Sequence, residues 1–336
     1  MRRFLLWAGI ISLIILLATS GLAWYQVNLL LSPVSSNKKQ VLVTIPKGAT
    51  PGEMGRLLEE AKVIRSAKAF RYLVAWKKAG PRLRAGEHLL DPSFNTSEII
   101  ESLIKGRLKM HRLTLAEGLT MAQIAVMVSR AGLAGEDKLF SLFNNTEFIA
   151  SLGLDVQSLE GYLFPETYYF TAGASASDII RAMVDRFWEV WSRYEAQAQT
   201  TGMTRHEIVT LASIVEKETG DGSERPLIAA VFLNRLKKGM RLQSDPTVIY
   251  GLKDFDGNLT RRHLEAYTPY NTYQIKALPP GPIANPGEAS LKAVLEPANV
   301  NYFYFVSKND GTHHFSTTLT EHNRAVNLYQ RRYRRQ

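Results

Sequence analysis

The chain has 336 residues, of which 45% are hydrophobic and 21% are charged. This length exceeds the roughly 250–300 residues at which one hydrophobic core stops growing, so two or three globular units are expected. Lys and Arg (41) outnumber Asp and Glu (31), and the net charge of +10 favours an anionic partner. Because the chain has no cysteine, disulfide frameworks, thiolate nucleophiles and cysteine-based metal sites are excluded.

The N-terminus carries a targeting signal. Phe4 to Trp24 is a run of 21 residues without an ionisable side chain, which is long enough for a helix to cross a hydrocarbon core of about 30 Å. Arg2 and Arg3 precede this run, and basic residues at this end favour an N-terminus that stays in the cytoplasm. The pattern therefore predicts an uncleaved signal anchor.

We expect a cytoplasmic tip at 1–3, a transmembrane signal anchor at 4–24 and a polar tether at 25–40. The protein would then be a single-pass protein of the cell inner membrane, with the rest of the chain in the periplasm. A signal peptide cleaved near Ala23 is one alternative, and a twin-arginine signal that begins at Arg2-Arg3 is another. In each case the rest of the chain faces outward, so nucleic acid is not expected as a partner.

An internal repeat follows the tether. The segment that starts at Val43 matches the segment that starts at Leu113, an offset of 70 residues. In each copy a β-like run meets a Gly turn, and a capping box at Thr50 or Thr120 then begins a helix. The region 41–160 is therefore predicted to hold small α+β units. They resemble the LysM module, a short fold that grips N-acetylated glycans; a purely structural repeat is the alternative.

From Thr204 onward the pattern predicts helices. A capping box at Thr204 begins a helix, in which apolar residues recur at steps of three and four. Glu218 continues this apolar face, whereas Glu216 is predicted to lie on another face. Because desolvation disfavours the charged form, a carboxyl on an apolar face either pairs with a cation or has a raised pKa.

The later segments predict further local features. Ser223 is expected to cap the next helix, and Asp245 before a proline is expected to cap a short one. The loop 279–287 is rich in Pro and Gly and is expected to line a site. Two β-type runs joined by a turn at 309–311 predict a hairpin, and arginines at 331–335 form a basic tail.

Six sequence runs resemble the YceG-like endolytic murein transglycosylases, the MltG family. They are SLEGYLFPETY at 158–168, LASIVEKET at 211–219, VFLNRL at 231–236, LQSDPTVIYG at 242–251, PYNTY at 269–273 and LPPGPIANPG at 278–287. With the LysM-like region they cover roughly residues 40 to 330, in family order. The predicted fold class is therefore α+β: an N-terminal transmembrane helix, LysM-like units, and a mixed, helix-rich catalytic domain at 161–336 with a C-terminal hairpin.

The resemblance implies cleavage of the β-1,4 bond between N-acetylmuramic acid and N-acetylglucosamine inside a glycan strand. The products would carry 1,6-anhydro ends, so the enzyme would be a lyase that terminates nascent strands. The implied partners are peptidoglycan strands and penicillin-binding-protein synthases, and no cofactor is implied. The family's catalytic glutamate, the second in its Val-Glu-Lys-Glu-Thr motif, falls on Glu218.

Six further residues are candidate substrate ligands, because their polar groups could bind acetamido and hydroxyl groups. They are Gln243, Ser244, Asp245, Asn271, Tyr273 and Asn285. Hydrogen bonding within a turn or the core is the alternative for each, and Asp245 could also be a second catalytic carboxylate. No metal site is predicted, since the adjacent His313 and His314 would face opposite sides of a strand without an acidic ligand cluster.

Two other functions stay open at this point. One is a non-catalytic peptidoglycan-binding scaffold of the cell-wall synthesis machinery, in which Glu218 is structural. The discriminating observation is whether 243–250 and 271–285 lie beside Glu218. The other is a hydrolytic muramidase that uses Glu218 with Asp245, which would leave a reducing end instead of an anhydro sugar.

Overall fold

The structure, a computed structural model, describes residues 2–36, 39–106, 110–171 and 173–331. The chain forms two compact units. The first comprises Met1–His111 and Tyr169–Ala174, and the second comprises Arg112–Tyr168 and Ser175–Gln336. The described residues form many short helices and three two-stranded sheets, so the helix-rich α+β class is confirmed.

The first unit is built on one antiparallel strand pair. Its elements are α1 (Arg2–Leu31), β1 (Val41–Ile45), α2 (Pro51–Glu60), α3 (Ala67–Trp76), β2 (Gly86–Leu90) and α4 (Thr96–Lys105). In the register of β1 and β2, Val43 lies opposite His88. The predicted capping box at Thr50 is present. Apolar side chains of β1, β2, α2, α3 and α4 form one core around Phe70.

The first helix, α1, contains the predicted anchor and continues beyond it to Leu31. The segment that follows is bonded to the same unit: the Val34 N–H donates to the Pro92 carbonyl (3.1 Å), and Arg65 Nε donates to the Pro33 carbonyl (2.9 Å). Across the described ranges, none of the helices has the length and apolarity needed to cross a membrane.

The second unit is mostly helical. The elements from residue 110 onward are β3 (Met110–Thr114), α5 (Met121–Arg130), α6 (Glu136–Phe143), α7 (Thr146–Ser151), β4 (Thr167–Thr171), α8 (Ala176–Trp191), α9 (Glu195–Thr200), α10 (Arg205–Glu218), α11 (Arg225–Lys237), α12 (Asp245–Gly251), α13 (Arg261–Glu265), α14 (Glu288–Leu295), β5 (Tyr304–Ser307), β6 (His313–Ser316) and α15 (Leu319–Val326). Strand β3 pairs with β4, and β5 pairs with β6. The residues 110–111 of β3 and 169–171 of β4 belong to the first unit. The predicted capping box at Thr120 begins α5.

Helix α10 is the core helix of the second unit. Its predicted capping box at Thr204 is present, and every residue from Ile208 to Val215 is buried. It packs against α11, α12 and α14. The helix ends at Glu218, because Thr219 is already extended (φ −138°). The core helix thus places a carboxyl where buried packing gives way to loops.

Two predicted helix caps are wrong. Ser223 does not cap α11: it lies in a 3₁₀ turn at Gly222–Glu224, which is capped by the Asp221 carboxylate. Asp245 does not cap α12 but is its first helical residue, and Ser244 occupies the cap position without a side-chain bond to the helix. The Ser244 hydroxyl is directed to another partner, which belongs to the candidate site.

The C-terminal hairpin is confirmed. Tyr304 of β5 lies opposite Ser316 of β6, and the turn uses left-handed backbone at Asn309 (φ 65°) and Gly311 (φ 88°). Such conformations suit Asn and Gly. Of the predicted basic tail, Arg331 ends the described residues, and 332–335 lie outside them.

The proline-rich loop at 279–287 is largely buried in the core and does not form an exposed rim. Residues 281–287 are all buried, and the Ile283 N–H donates to Ser213 Oγ on α10 (3.0 Å). Gly161 (φ 88°) packs so closely here that a Cβ atom would lie 2.5 Å from Pro282 Cγ. The loop is therefore fitted against α10 and the 158–168 segment without spare volume.

Candidate active site

The Glu218 carboxyl lies at the end of α10, where it is part-buried. Its Oε1 accepts a hydrogen bond from the Ser244 hydroxyl (2.5 Å). Burial raises the pKa of Glu218 to about 7; the Ser244 bond and the charge of Arg235 lower it, and the charge of Asp245 raises it. A carboxyl with this pKa exchanges its proton readily at neutral pH.

Ser244 is held in place by Thr272. The Ser244 N–H donates to Thr272 Oγ1 (2.9 Å), and the Gln243 N–H donates to the Thr272 carbonyl (3.1 Å). Gln243 adopts a left-handed conformation (φ 52°), which costs energy for a residue with a side chain and often marks a functional segment. The main chain before α12 is thus fixed so that Ser244 meets Glu218.

Asp245 and Tyr273 form a second polar pair beside Ser244. The Tyr273 hydroxyl donates to Asp245 Oδ1 (2.6 Å). Burial raises the pKa of Tyr273, and its hydrogen bond to Asp245 adds to this effect, so the phenol stays protonated at neutral pH. Gln243 and Asp245 are exposed, and they form the open side of the site.

Arg235 is a buried cation near Glu218. Its side chain is 7% exposed, and its guanidinium donates to the main-chain carbonyls of Phe303 and Leu242 (2.6 Å each). Burial lowers the pKa of Arg235. The net pKa shift of Glu218 is upward, which is the opposite of what a direct ion pair produces.

The carboxylate of Glu216, two residues before Glu218 on α10, is enclosed by protein and is not exposed to solvent. Its side chain is 5% exposed, and one carboxylate oxygen lies 3.0 Å from Arg225 Nη2. The other oxygen accepts a hydrogen bond from the Gly287 N–H (2.9 Å). Glu216 therefore ties α10 to the start of α11 and to the proline-rich loop.

Asn271 and Asn285 lie in the interior. Asn271 Nδ2 donates to the carbonyls of His263, Leu264 and Ala266 (3.2, 3.1 and 2.6 Å). Asn285 Oδ1 accepts from the Leu163 N–H (2.8 Å), and its Nδ2 donates to the Leu119 carbonyl (2.9 Å). Both amides are thus engaged with main chain, which favours the alternative of turn and core bonding.

Glu160 was not singled out from the sequence, although it lies in the 158–168 run. Its side chain is 4% exposed. Oε1 accepts from the Met121 N–H (2.9 Å) and from Asn285 Nδ2 (3.1 Å), and Oε2 accepts from the Tyr250 hydroxyl (3.1 Å). Burial raises the pKa of Glu160 to about 7. The sequence signal that could have identified Glu160 is an acidic residue placed between Leu159 and Gly161 in a largely apolar run.

The structure therefore brings part of the predicted site together. Glu218, Gln243, Ser244, Asp245 and Tyr273 are linked by contacts through 243–245 and 271–273. Within the part of the chain that the structure describes, no group of three His, Asp or Glu side chains could hold a metal ion. His313 Nδ1 instead lies 2.7 Å from Glu224 Oε2.

Replacing Ser244 by Ala is expected to move the alkaline limb of the pH–activity profile upward by about one unit, because the hydroxyl lowers the pKa of Glu218. The rate at the optimum should fall as well, since the carboxyl loses its orienting donor. The profile is measured from product formation between pH 5 and 9. Ser192→Ala, at an exposed residue, is the control; an unchanged limb in Ser244→Ala would contradict the assignment.

A sequence model of the YceG-like family matches residues 43–328. A Bacillus subtilis protein named endolytic murein transglycosylase is 34% identical over 317 residues, which is 89% of this chain and 88% of that protein. A protein of the same name from Streptococcus pneumoniae serotype 2 is 29% identical over 345 residues, or 93% of this chain. The chain spans 62% of the length of this streptococcal relative.

A solved structure is similar in fold. A crystal structure of a YceG-like protein from Listeria monocytogenes aligns with a TM-score of 0.60 at 35% identity. The alignment covers 86% of this chain and 99% of the Listeria chain.

Proposed function

Because this chain belongs to the YceG-like family, we propose that it acts as an endolytic murein transglycosylase, which makes it a lyase. The resemblance inferred from six sequence runs is thereby confirmed. The observation that carries the proposal is the Glu218 carboxyl, which has a pKa of about 7 and is oriented by Ser244 at the end of the core helix.

The reaction proposed is cleavage of the β-1,4 bond between N-acetylmuramic acid and N-acetylglucosamine within a strand. Glu218 gives its proton to the leaving oxygen, and the 6-hydroxyl of the muramic acid sugar attacks the anomeric carbon. The resulting carboxylate then accepts the 6-hydroxyl proton, so the enzyme returns to its starting state. One carboxyl serves both steps, and a pKa near neutrality suits both.

The open side of the site supports a role for Gln243, Asp245 and Tyr273 as substrate ligands. Gln243 and Asp245 are exposed, and Tyr273 fixes the Asp245 carboxylate. We assign Asn271 and Asn285 a positioning role, because their amides hold the main chain of the surrounding turns.

The proposed function is tested by digesting purified peptidoglycan with the full chain in detergent and measuring product masses. Anhydro products, lighter by one water than hydrolysis products, are expected. Reducing ends would instead support a muramidase that uses Asp245 as its second carboxylate. Binding to sacculi without any cleavage would support a scaffold and overturn the proposal.

We propose that residues 4–24 anchor the protein in the inner membrane and leave the rest in the periplasm. Large apolar side chains of α1 are exposed, among them Leu16 (62%) and Trp24 (71%), and the Thr19 hydroxyl is satisfied by the Ile15 carbonyl (2.8 Å). A reporter fused after Gln336 should be active only outside the cytoplasm, with the full-length protein retained in membranes after salt washing. A shortened soluble form would contradict the anchor.

We also propose that 41–160 holds the glycan-gripping repeat and that 161–336 holds the catalytic domain. In the first unit, a groove of about 410 Å³ is lined by Lys47, Gly48, Glu53 and Arg56 among others. This groove lies where the first copy's Gly turn meets its capped helix. Arg56→Ala should weaken co-sedimentation of the chain with sacculi without changing its melting temperature; unaltered binding would contradict the proposal.

Peptidoglycan synthases are the proposed protein partners, because terminating a nascent strand requires access to the strand as it is polymerised. Cross-linking in intact cells should connect the chain to a penicillin-binding protein. Cross-links to abundant envelope proteins alone would contradict this partnership.

A further inference from the structure

Helix α3 presents an unusual outer face. Phe70 and Val74 lie in the core (0% and 2% exposed), whereas Tyr72 and Trp76 are 66% and 79% exposed. Lys68, Tyr72 and Ala75 follow each other at helical spacing and so share this outer face. Two large aromatic side chains are thus directed away from the protein in a helix that is otherwise well packed.

The surroundings of this face are basic. Between Glu60 and Glu87 the chain carries eight Lys and Arg residues and no acidic residue. The Arg71 guanidinium lies over the Tyr72 ring, 5.1 Å from its centroid. Basic side chains beside exposed Trp and Tyr are typical of segments that lie at the interface of anionic lipid and water.

The face also lies beside the end of the proposed anchor. One groove is lined by Val27, Leu30 and Leu31 of α1 together with Tyr72 and Trp76 of α3. Val27 to Leu31 are three to seven residues beyond Trp24, which is about 5–10 Å along a helix axis. The headgroup layer on each side of a bilayer is about 5–8 Å thick. The aromatic side chains are therefore at the depth of this layer if Trp24 marks the edge of the hydrocarbon core.

We infer that the outer face of α3 docks onto the anionic headgroup layer of the membrane from which α1 emerges. The inference rests on the anchor proposed above. Tyr72 and Trp76 would enter the interface, and Lys68, Arg71 and Lys78 would meet lipid phosphates. A soluble polyanion could engage the cations, but it would not use two exposed aromatic side chains placed next to an apolar helix end.

The hydrogen bonds made by the segment that follows α1 determine how docking would position the first unit. Arg65 holds the Pro33 carbonyl, and the Pro92 carbonyl holds the Val34 N–H. These bonds leave little free chain between α1 and the rest of the first unit. The first unit would accordingly be held at the membrane surface at two adjacent points, the anchor and α3.

The test uses the full chain in phosphatidylglycerol-containing vesicles. Because the chain has no cysteine, one nitroxide label can be placed by Ala75→Cys, which keeps both aromatic residues. The comparison label is Lys47→Cys, at an exposed position two residues beyond the end of β1 and outside helix α3. We expect the label at 75 to collide with a water-soluble nickel chelate about threefold less often than the label at 47.

Two further arms make the result specific. Shielding of the label at 75 should be lost when Tyr72→Ser and Trp76→Ser are added. Because both residues are exposed, these substitutions should not disturb the fold, and an unchanged melting temperature would show this. Shielding should also fall in vesicles of neutral phosphatidylcholine. Equal accessibility at 75 and 47, or shielding that persists in neutral lipid, would overturn the inference.

A label at Leu16→Cys reports on the anchor separately. A shielded label at 16 with an accessible label at 75 would mean that the anchor holds and the docking fails. An accessible label at 16 would mean that the anchor proposal fails, and the label at 75 would still decide whether α3 binds lipid.

Discussion

Replacing Glu218 by Gln is expected to lower the rate of product formation by about 10²- to 10⁴-fold, the range typical of lost general acid–base catalysis. Gln keeps the size of the side chain and can still accept the Ser244 hydrogen bond. It has no proton to give to the leaving oxygen. The measurement is the initial rate of anhydro-product release from purified peptidoglycan.

The same variant should not lose stability. The pKa of Glu218 is raised from 4.5 to about 7 in the folded state, so the wild-type protein loses stability as pH rises through this window. Glu218→Gln lacks this loss. Its free energy of unfolding should exceed that of the wild type at pH 8 by at most about 3 kcal/mol, less as partial exposure screens the charge, and should match it near pH 4.

The control for Glu218→Gln needs an exposed glutamate. Glu136→Gln on α6 serves, since Glu136 is exposed. Glu216→Gln does not serve, because it would weaken the ion pair with the part-buried Arg225, whose side chain is 14% exposed. Full activity of Glu218→Gln would remove the proposed mechanism. A marked loss of folding stability together with the loss of activity would favour a structural role for the carboxyl.

Replacing Gly161 by Ala is expected to destabilise the second unit by about 2–5 kcal/mol. Gly161 has φ 88°, where a side chain is strained, and its Cβ would lie 2.5 Å from Pro282 Cγ and 2.9 Å from Val209 Cγ1. The strain and the overpacking add, because neither the proline ring nor the core helix can move cheaply. Urea unfolding at neutral pH measures the change.

Gly239→Ala is the matched control. Gly239 also has positive φ (64°), but nothing lies within 4 Å of its Cβ position. Only the backbone strain remains there, so the loss should be about 1 kcal/mol. Equal losses at the two glycines would show that the proline-rich loop is not packed against the 158–168 segment as described.

Local signals predicted a good part of this structure. The capping boxes at Thr50, Thr120 and Thr204 were predicted because each needs only residues three positions apart. The position of Glu218 followed from helical spacing. The same argument placed Glu216 on another face, but it could not show that this face is also enclosed, because α10 is buried all round from Ile208 to Val215.

Long-range bonds account for what could not be predicted. Glu160 is hydrogen-bonded to three residues that are separated from it by 39, 90 and 125 positions in the sequence. The residues next to Glu160 in the sequence do not indicate these partners. Asn285 likewise bonds to Leu163, 122 positions earlier. The resemblance indicated that these segments matter, but it could not distinguish a side chain that meets substrate from one that holds the fold.

Helix α12 joins the two carboxyls whose pKa values are about 7. At its start, Ser244 bonds to Glu218, and near its end Tyr250 bonds to Glu160. Seven residues span only about 10 Å. Helix α12 is therefore a short helix with one of these two carboxyls hydrogen-bonded near each of its ends. In evolutionary terms, Glu160 and Tyr250 should change together among relatives, because losing Tyr250 removes the donor to Glu160 Oε2, and losing Glu160 leaves the Tyr250 hydroxyl without its acceptor.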